Sequence, residues 1–236
     1  FLPNHGPTMR HWTLIDEAPI PGSGQTLGLY ESKDEFYIKI SGNSSGSQDL
    51  MNTRIHGSED ALGELPCKRL PKPGSARVLI GGLGMGFTLA AALKEVGDDA
   101  EVTVAELIPQ VVEWNRGRLG VYSGRPLDDP RTRVHVGDVA KLLQKTRGYY
   151  DVIALDVDNG PEGLTKSAND WLYSSSGIEV AQDALRPGGI VAYWSAGQDR
   201  GFHDRLRCSG MMVEEVVVRG HGNKGSRYII WLASKD

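Results

Sequence analysis

The chain has 236 residues, 39% of them hydrophobic, which is enough for one large core and a small appendage. No apolar run approaches the ~20 residues of a membrane-spanning helix, so we expect no membrane partner. The formal net charge of −4 argues against binding to a nucleic-acid phosphate backbone, so no nucleic-acid partner is expected either.

The cysteines and histidines predict neither a disulfide framework nor a metal site. Cys67 and Cys208 are far apart, and the six histidines lack a metal-ligand spacing. We therefore expect no bound metal and a reducing, cytoplasmic compartment.

The first 70 residues predict a small β domain. Residues 1–24 contain four prolines and several glycines, so we expect an irregular arm there. The elements expected after it are hairpin strands at 25–30 and 35–40, a third strand at 49–55, and a short helix at 58–65 with Ser58 as its N-cap. A proline-rich linker follows, and we place the domain boundary there, between residues 1–70 and residues 71–236.

Strand and helix patterns alternate after the linker. The predicted strands are 77–81, 101–106, 132–136, 150–156 and 189–194. The helices that follow them are 86–96, 108–118, 138–146, 168–185 and 200–208. Two β-rich runs, 211–219 and 227–233, end the chain as an antiparallel pair. This order predicts an α/β fold with a doubly wound, mostly parallel Rossmann-like sheet.

Glycines and carboxylates follow the predicted strands where such sheets bind ligands. Gly82, Gly84 and Gly86 lie between a strand and a helix, where the backbone can turn sharply and approach a ligand. Glu106 closes the next strand and can accept hydrogen bonds from both hydroxyls of a ribose. The alternative is a tightly packed glycine turn with a solvated Glu106.

On these features the chain resembles the spermidine synthase (polyamine aminopropyltransferase) branch of the class I S-adenosylmethionine-dependent methyltransferase superfamily. The resemblance covers residues 25–197. It is carried by Ile80-Gly81-Gly82, Glu106, Gly137-Asp138, residues 150–153 running into Asp156, Leu172-Tyr173, and residues 184–189.

The resemblance implies roles for the cofactor-binding residues. The glycines at 82, 84 and 86 would lie against the amino-acid tail of the cofactor. Glu106, followed by Leu107, would hold the ribose. Asp138 and the Val139 amide would bind the adenine amine, and Asp156 would lie beside the sulfonium.

The sequence also departs from that branch. The branch has an aspartate at the position of Gly84, where it binds the amine of the decarboxylated cofactor, and the second acid of its Asp-Ser-x-Asp-Pro motif is Asn159 here. Two aromatic residues of its amine site are also absent. We therefore predict S-adenosylmethionine as cofactor and methyl transfer to a small molecule. The alternatives are aminopropyl transfer from decarboxylated S-adenosylmethionine and a non-catalytic nucleotide-binding protein.

The candidate catalytic residues follow the strand at 150–156. They are Asp156, Asp158 and Asn159. Asp156 and Asp158 are two residues apart and would project to the same side if the strand geometry persists. Two nearby carboxylates would raise the pKa of one of them, which suits a base for an amine nucleophile. Asp158 is alternatively a solvated residue of an Asp-Asn-Gly-Pro turn.

The candidate substrate residues are spread over both domains. They are Arg54, His56, Glu59, Trp171 and Tyr173. Trp171 and Tyr173 are alternatively core contacts, and His56 is alternatively a surface residue. An amine is one candidate for the small-molecule substrate. Because related proteins form oligomers and a small hairpin buries little surface alone, we also predict a homodimer.

Overall fold

The computed structural model describes residues 12–42, 46–156, 171–221 and 224–236. They form two sheets, and one of the two hydrophobic core clusters joins both sheets. The predicted catalytic residues Asp158 and Asn159 lie outside the described residues.

The first sheet is an antiparallel meander of four strands in the order β1-β2-β3-β4. Its strands are β1 (Thr13–Pro19), β2 (Thr26–Ser32), β3 (Glu35–Gly42) and β4 (Gly46–Asn52). The predicted hairpin is therefore present, with Ser32 paired to Glu35 across the turn. The third strand starts and ends earlier than expected, because the Asn52 side chain accepts hydrogen bonds from the amides of Arg54 and Ile55 and turns the chain.

The prediction of an irregular arm was wrong for residues 13–19, which form β1. This strand pairs with β2 along its length, yet Ala18 is its one buried residue. Main-chain hydrogen bonds therefore hold β1 in place, and its sequence lacks the alternation of buried and exposed residues from which a strand is predicted.

The first helix, α1 (Gly57–Lys68), joins the two sheets and continues past its predicted end to include Pro66. A Cβ at Gly63 would lie 2.2 Å from the carbonyl oxygen of Thr88, so α1 and α2 (Phe87–Glu95) pack with their backbones in close approach. Helix α1 therefore covers the second sheet, although it precedes the linker where we expect the domain boundary.

The second sheet has seven strands in the order β10-β11-β9-β8-β5-β6-β7. The strands are β5 (Arg77–Gly81), β6 (Glu101–Glu106), β7 (Thr132–Val136), β8 (Tyr150–Leu155), β9 (Leu185–Ser195), β10 (Met212–His221) and β11 (Lys224–Ser234). Strands β5 to β9 pair in parallel with one another. Strand β11 pairs antiparallel with β9 and with β10, so the chain ends in an antiparallel pair as predicted.

Helices cover both faces of the seven-stranded sheet. Besides α1 and α2 they are α3 (Pro109–Arg116), α4 (Val139–Gln144), α5 (Ser175–Ala184) and α6 (Arg200–Cys208). The long helix expected at 168–185 is interrupted after the helical residues 171–172, and α5 begins at Ser175, where the Ser174 hydroxyl caps it by accepting the Gly177 amide. Among the residues that the structure describes, no helix is both long and apolar enough to cross a membrane.

The core has two parts, one on each face of the seven-stranded sheet. One part joins residues of the first sheet, such as Leu27 and Ile38, to Val78 and Ile80 of β5. Because this core is continuous from one sheet to the other, the first sheet is fixed over the end of β5.

Candidate active site

The glycine turn follows β5 at the point where the direction of the chain connections reverses. Strand β5 pairs with β6 on one side and β8 on the other, and such a position is where open α/β sheets bind ligands. Gly82 has φ +97°, and a Cβ there would lie 2.6 Å from the Asp156 carbonyl oxygen. Gly82 is therefore required by both backbone conformation and space.

Asn115 of α3 holds the glycine turn from behind. Its Nδ2 donates to the carbonyl oxygens of Gly84, at 2.8 Å, and Val111, at 2.9 Å. Gly86 is the N-cap of α2 and a Cβ there would meet Ser123 and Asn115, so Gly86 shapes the turn and packs away from its open side. Sequence reasoning missed Asn115, because an asparagine inside a helix has no local signature.

Glu106 is buried beside the turn and is bound to the backbone through both of its oxygens. Oε2 accepts the Leu83 amide and Oε1 accepts the Ile108 amide, each at 2.9 Å. Burial raises the pKa of Glu106 above its ordinary range, against the opposing effect of these hydrogen bonds. Glu106 also lines the cavity described below, where its carboxylate would face a ligand.

Asp138 follows β7 and begins α4. Its Oδ1 accepts the Ala140 amide at 2.8 Å, and the preceding Gly137 amide donates to the Glu106 carbonyl oxygen at 2.8 Å. These bonds place Asp138 and Val139 at the same edge of the sheet as Glu106.

An open cavity of about 810 Å³ connects these residues. Glycine and carboxylate residues from the ends of the strands line one side: Gly82, Gly84, Glu106, Leu107, Gly137, Asp138, Val139 and Asp156. The other lining residues are mostly apolar: Ile20, Leu27, Ile38, Leu50, Met51, Ala105, Ile108 and Val111. Its apolar walls, its three acids and the glycines of the turn suit an adenosyl ligand.

Five of these apolar residues come from the first sheet and its flanks. They are Ile20, Leu27, Ile38, Leu50 and Met51. Their alternation in the sequence shows that one face of the hairpin is apolar, but it does not show what that face covers. Sequence reasoning therefore missed them as site residues.

A smaller cavity of about 250 Å³ adjoins the first one. The two share Met51, Gly84 and Asp156 in their linings. The smaller cavity is further lined by Asn52, Glu59, Leu83, Met85, Phe87 and Thr88. It therefore extends the larger cavity past the glycine turn toward the start of α1.

Glu59 is the acid that α1 brings to this smaller cavity. Its Oε2 accepts the Ser58 hydroxyl at 2.6 Å. Burial raises the pKa of Glu59, and the hydrogen bond from Ser58 opposes this effect. Its neighbour His56 stacks on Phe87, with ring centroids 3.9 Å apart, and its Nδ1 lies 2.7 Å from Asp60 Oδ2. This hydrogen bond to Asp60 raises the pKa of His56.

The other predicted substrate residues are placed away from the described linings of both cavities. Arg54 is exposed and pairs with Glu35 at 2.9 Å. Trp171 packs against the second core, and Tyr173 donates its hydroxyl to the Trp194 carbonyl oxygen at 3.0 Å while its ring packs against Phe202. Within the described residues, no group of three or more His, Cys, Asp or Glu is arranged to hold a metal ion.

Comparison with known proteins identifies a family that matches most of this region. The model of the "Spermine/spermidine synthase domain" matches residues 57–199, from α1 to the loop before α6. The relatives include polyamine aminopropyltransferase 2 of Pseudomonas aeruginosa, 34% identical over 119 residues, and a polyamine aminopropyltransferase of Korarchaeum cryptofilum, 31% identical over 122 residues. These matches cover 49% and 51% of this chain, and 32% and 36% of the two relatives, so the chain aligns with about a third of their length.

Solved structures show the same fold over nearly the whole chain. A spermidine synthase in complex with the transition-state analogue AdoDATO and the spermidine synthase of Thermotoga maritima each give a TM-score of 0.72 at 20% identity. Each alignment covers 94% of this chain and 72% of the solved chain. The likeness includes the small first sheet as well as the Rossmann-like sheet.

The prediction of methyl transfer was wrong. The family model and the curated relatives match aminopropyltransferases, which was the stated alternative. The prediction depended on the absence of an acid at Gly84. The structure offers another reason for a glycine at this position. Its φ is +51°, and Met51 Sδ lies 3.0 Å from the position that a Cβ would occupy. The packing of β4 over the turn thus favours glycine at this position for either donor.

Proposed function

The chain belongs to the spermine/spermidine synthase domain family, and from this we propose that it transfers an aminopropyl group from decarboxylated S-adenosylmethionine to a small amine. The observation that carries the proposal is the pair of adjoining cavities. The larger one is suited to the adenosyl group, and the smaller one has carboxylates in its lining, suited to a cationic tail.

We assign the adenosyl group to the larger cavity. Gly82 and Gly84 line this cavity beside the acids, and Glu106 accepts hydrogen bonds from the ribose hydroxyls. The Asp138 carboxylate accepts a hydrogen bond from the adenine amine and the Val139 amide donates to a ring nitrogen, with Leu107 and Ile38 among the other residues that line the cavity. Gly86 supports the turn that this binding requires.

Asp156 is the proposed proton acceptor, because it lines both cavities at their junction. In the transfer, the amine nitrogen forms a bond to the aminopropyl carbon, the carbon–sulfur bond breaks, and sulfur keeps the electron pair as the thioether methylthioadenosine. The amine must lose one proton in this step, and a carboxylate at the junction can accept it. Asp158 and Asn159 follow closely in the chain, and their predicted participation remains a prediction.

The acceptor is proposed to be an aliphatic amine that enters next to Asp156. Of the predicted substrate residues, Glu59 lines the smaller cavity and His56 stacks on Phe87 of that lining, whereas Arg54, Trp171 and Tyr173 contact other parts of the fold. A cytoplasmic location is part of the proposal, since Cys67 and Cys208 are both free thiols.

A paired titration tests the assignment of the donor. We expect decarboxylated S-adenosylmethionine to bind at least about tenfold more tightly than S-adenosylmethionine, or ~1.4 kcal/mol, when both are measured by calorimetry under the same conditions. Methylthioadenosine, which lacks the charged tail, serves as the control for the adenosyl part. Tighter binding of S-adenosylmethionine would overturn the proposal.

A further inference from the structure

A donor that ends in an ammonium group needs a carboxylate near the glycine turn, and Gly84 does not supply one. This requirement rests on the proposed function. A side chain at position 84 is also disfavoured, since φ is +51° there and the Met51 side chain, 3.0 Å from the Cβ position, would have to shift. The negative charge must therefore come from another element that reaches the same space.

The smaller cavity contains such a charge. In the part of its lining that the structure describes, the charged side chains are Glu59 and Asp156, and the remaining residues are neutral. Asp156 also lines the larger cavity, whereas Glu59, in the first turn of α1, lines only the smaller one of the two. A tail that extends from the larger cavity into the smaller one would therefore meet Glu59.

The immediate surroundings of Glu59 compensate its charge only in part. Ser58 donates a hydrogen bond to Oε2, and the nearby His56 is hydrogen-bonded through Nδ1 to Asp60, yet burial still raises the pKa of Glu59. Burial thus disfavours the charged carboxylate, and an ammonium group of a ligand would relieve this cost.

We propose that Glu59, together with Asp156, binds the terminal ammonium of the aminopropyl donor and so replaces the carboxylate that Gly84 lacks. The same charge would repel the carboxylate of S-adenosylmethionine, so Glu59 also selects the decarboxylated donor. Glu59 is thus a specificity-determining residue for the proposed reaction.

The test compares Glu59→Gln with wild type and with the control Glu64→Gln. Glu64 is an exposed residue of the same helix that pairs with Lys68. Calorimetry with decarboxylated S-adenosylmethionine should show about tenfold or greater weakening for Glu59→Gln, with methylthioadenosine changed by less than about twofold. Glu64→Gln should bind both ligands as wild type does, and Glu59→Asp, which keeps the charge, should weaken the donor less than Glu59→Gln.

Other outcomes overturn this inference. They are unchanged binding of both ligands by Glu59→Gln, equal weakening of both ligands, and a rise in the amine KM with donor affinity unchanged, which would assign Glu59 to the acceptor. A different result would show that the proposed function itself is wrong. In that case the wild-type protein would bind decarboxylated S-adenosylmethionine no better than methylthioadenosine. Thermal unfolding of each variant confirms that it is folded, and Glu59→Asp provides the comparison if Glu59→Gln is not.

Discussion

Glu106 combines two roles that a single buried carboxylate can serve. Its two oxygens hold the amides of Leu83 and Ile108, which fixes the glycine turn, and they also line the larger cavity. Burial raises its pKa, so the surrounding protein disfavours the charged form. Hydroxyl donors from a bound ribose would stabilise that form.

We expect Glu106→Gln to weaken methylthioadenosine binding by about tenfold or more, since charge-assisted hydrogen bonds contribute ~1.5–3 kcal/mol. Calorimetry measures the loss, and Glu113→Gln, an exposed position on α3, is the matched control. Unchanged affinity in Glu106→Gln would remove Glu106 from the ligand site.

The affinity should also depend on pH through Glu106. Its pKa in the free protein is raised above the ordinary 4.5, and a ligand that donates hydroxyls prefers the charged form. Affinity should therefore be full above the raised pKa and should fall as the pH decreases through it, starting above the pH at which an ordinary glutamate is protonated. Glu106→Gln should lack this dependence, and an equal slope in wild type and variant would assign the effect to another group.

Some residues of the candidate site could be predicted from the sequence, and others could not. Gly82 and Glu106 were predictable because their spacing follows from a strand, a tight turn and a neighbouring strand. Asn115 and Met51 were not, because each reaches the turn from an element whose packing the local sequence does not specify. Gly84 led to the wrong prediction of methyl transfer. Its lack of a carboxylate was attributed to the identity of the donor, but the packing of the Met51 side chain also explains a glycine there.

Among the elements, α1 has the closest connection to the site, because it carries Glu59 and packs tightly on α2. Gly63 makes this approach possible, as a Cβ there would lie 2.2 Å from the Thr88 carbonyl oxygen and 2.9 Å from the Ala92 nitrogen. Backbone atoms cannot move aside as a flexible side chain would.

We expect Gly63→Ala to lower the free energy of unfolding by ~1–3 kcal/mol through overpacking, although alanine favours helix formation by ~1 kcal/mol. Gly201→Ala in α6 is the control, because its Cβ would meet only the side chains of Asp199 and Arg205, at 3.3 Å and 3.4 Å. Denaturant unfolding measures both variants. A stabilised Gly63→Ala would mean that α1 can move away from α2 at little cost.

The elements of the seven-stranded sheet were largely predictable, and β1 was not. Strands such as β5 are buried on both faces and appear as short apolar runs before glycine, whereas β1 is exposed and held by pairing with β2. The sequence of an exposed strand does not indicate which strand it pairs with. Helix α1 ran past its predicted end because buried Leu62 and Cys67 stabilise it across Pro66.

For the whole molecule, both sheets end in strands that lack a neighbour among the described residues and carry exposed apolar side chains. The exposed apolar side chains are Leu14 and Ile15 on β1, and Met212 and Val217 on β10. Such edges favour association, so a homodimer remains our prediction. Light scattering across micromolar concentrations should give the mass of two chains, and the mass of one chain throughout would reject the dimer.

The central claim is that the molecule as a whole transfers an aminopropyl group, and a turnover assay tests it most directly. The protein is incubated with decarboxylated S-adenosylmethionine and putrescine or a longer polyamine, and methylthioadenosine and the aminopropylated amine are quantified. We expect both products in equal molar amounts, with a rate reduced by about a hundredfold or more in Asp156→Asn, as for loss of a general base. If the donor binds and neither product forms with any of these amines, the account is contradicted.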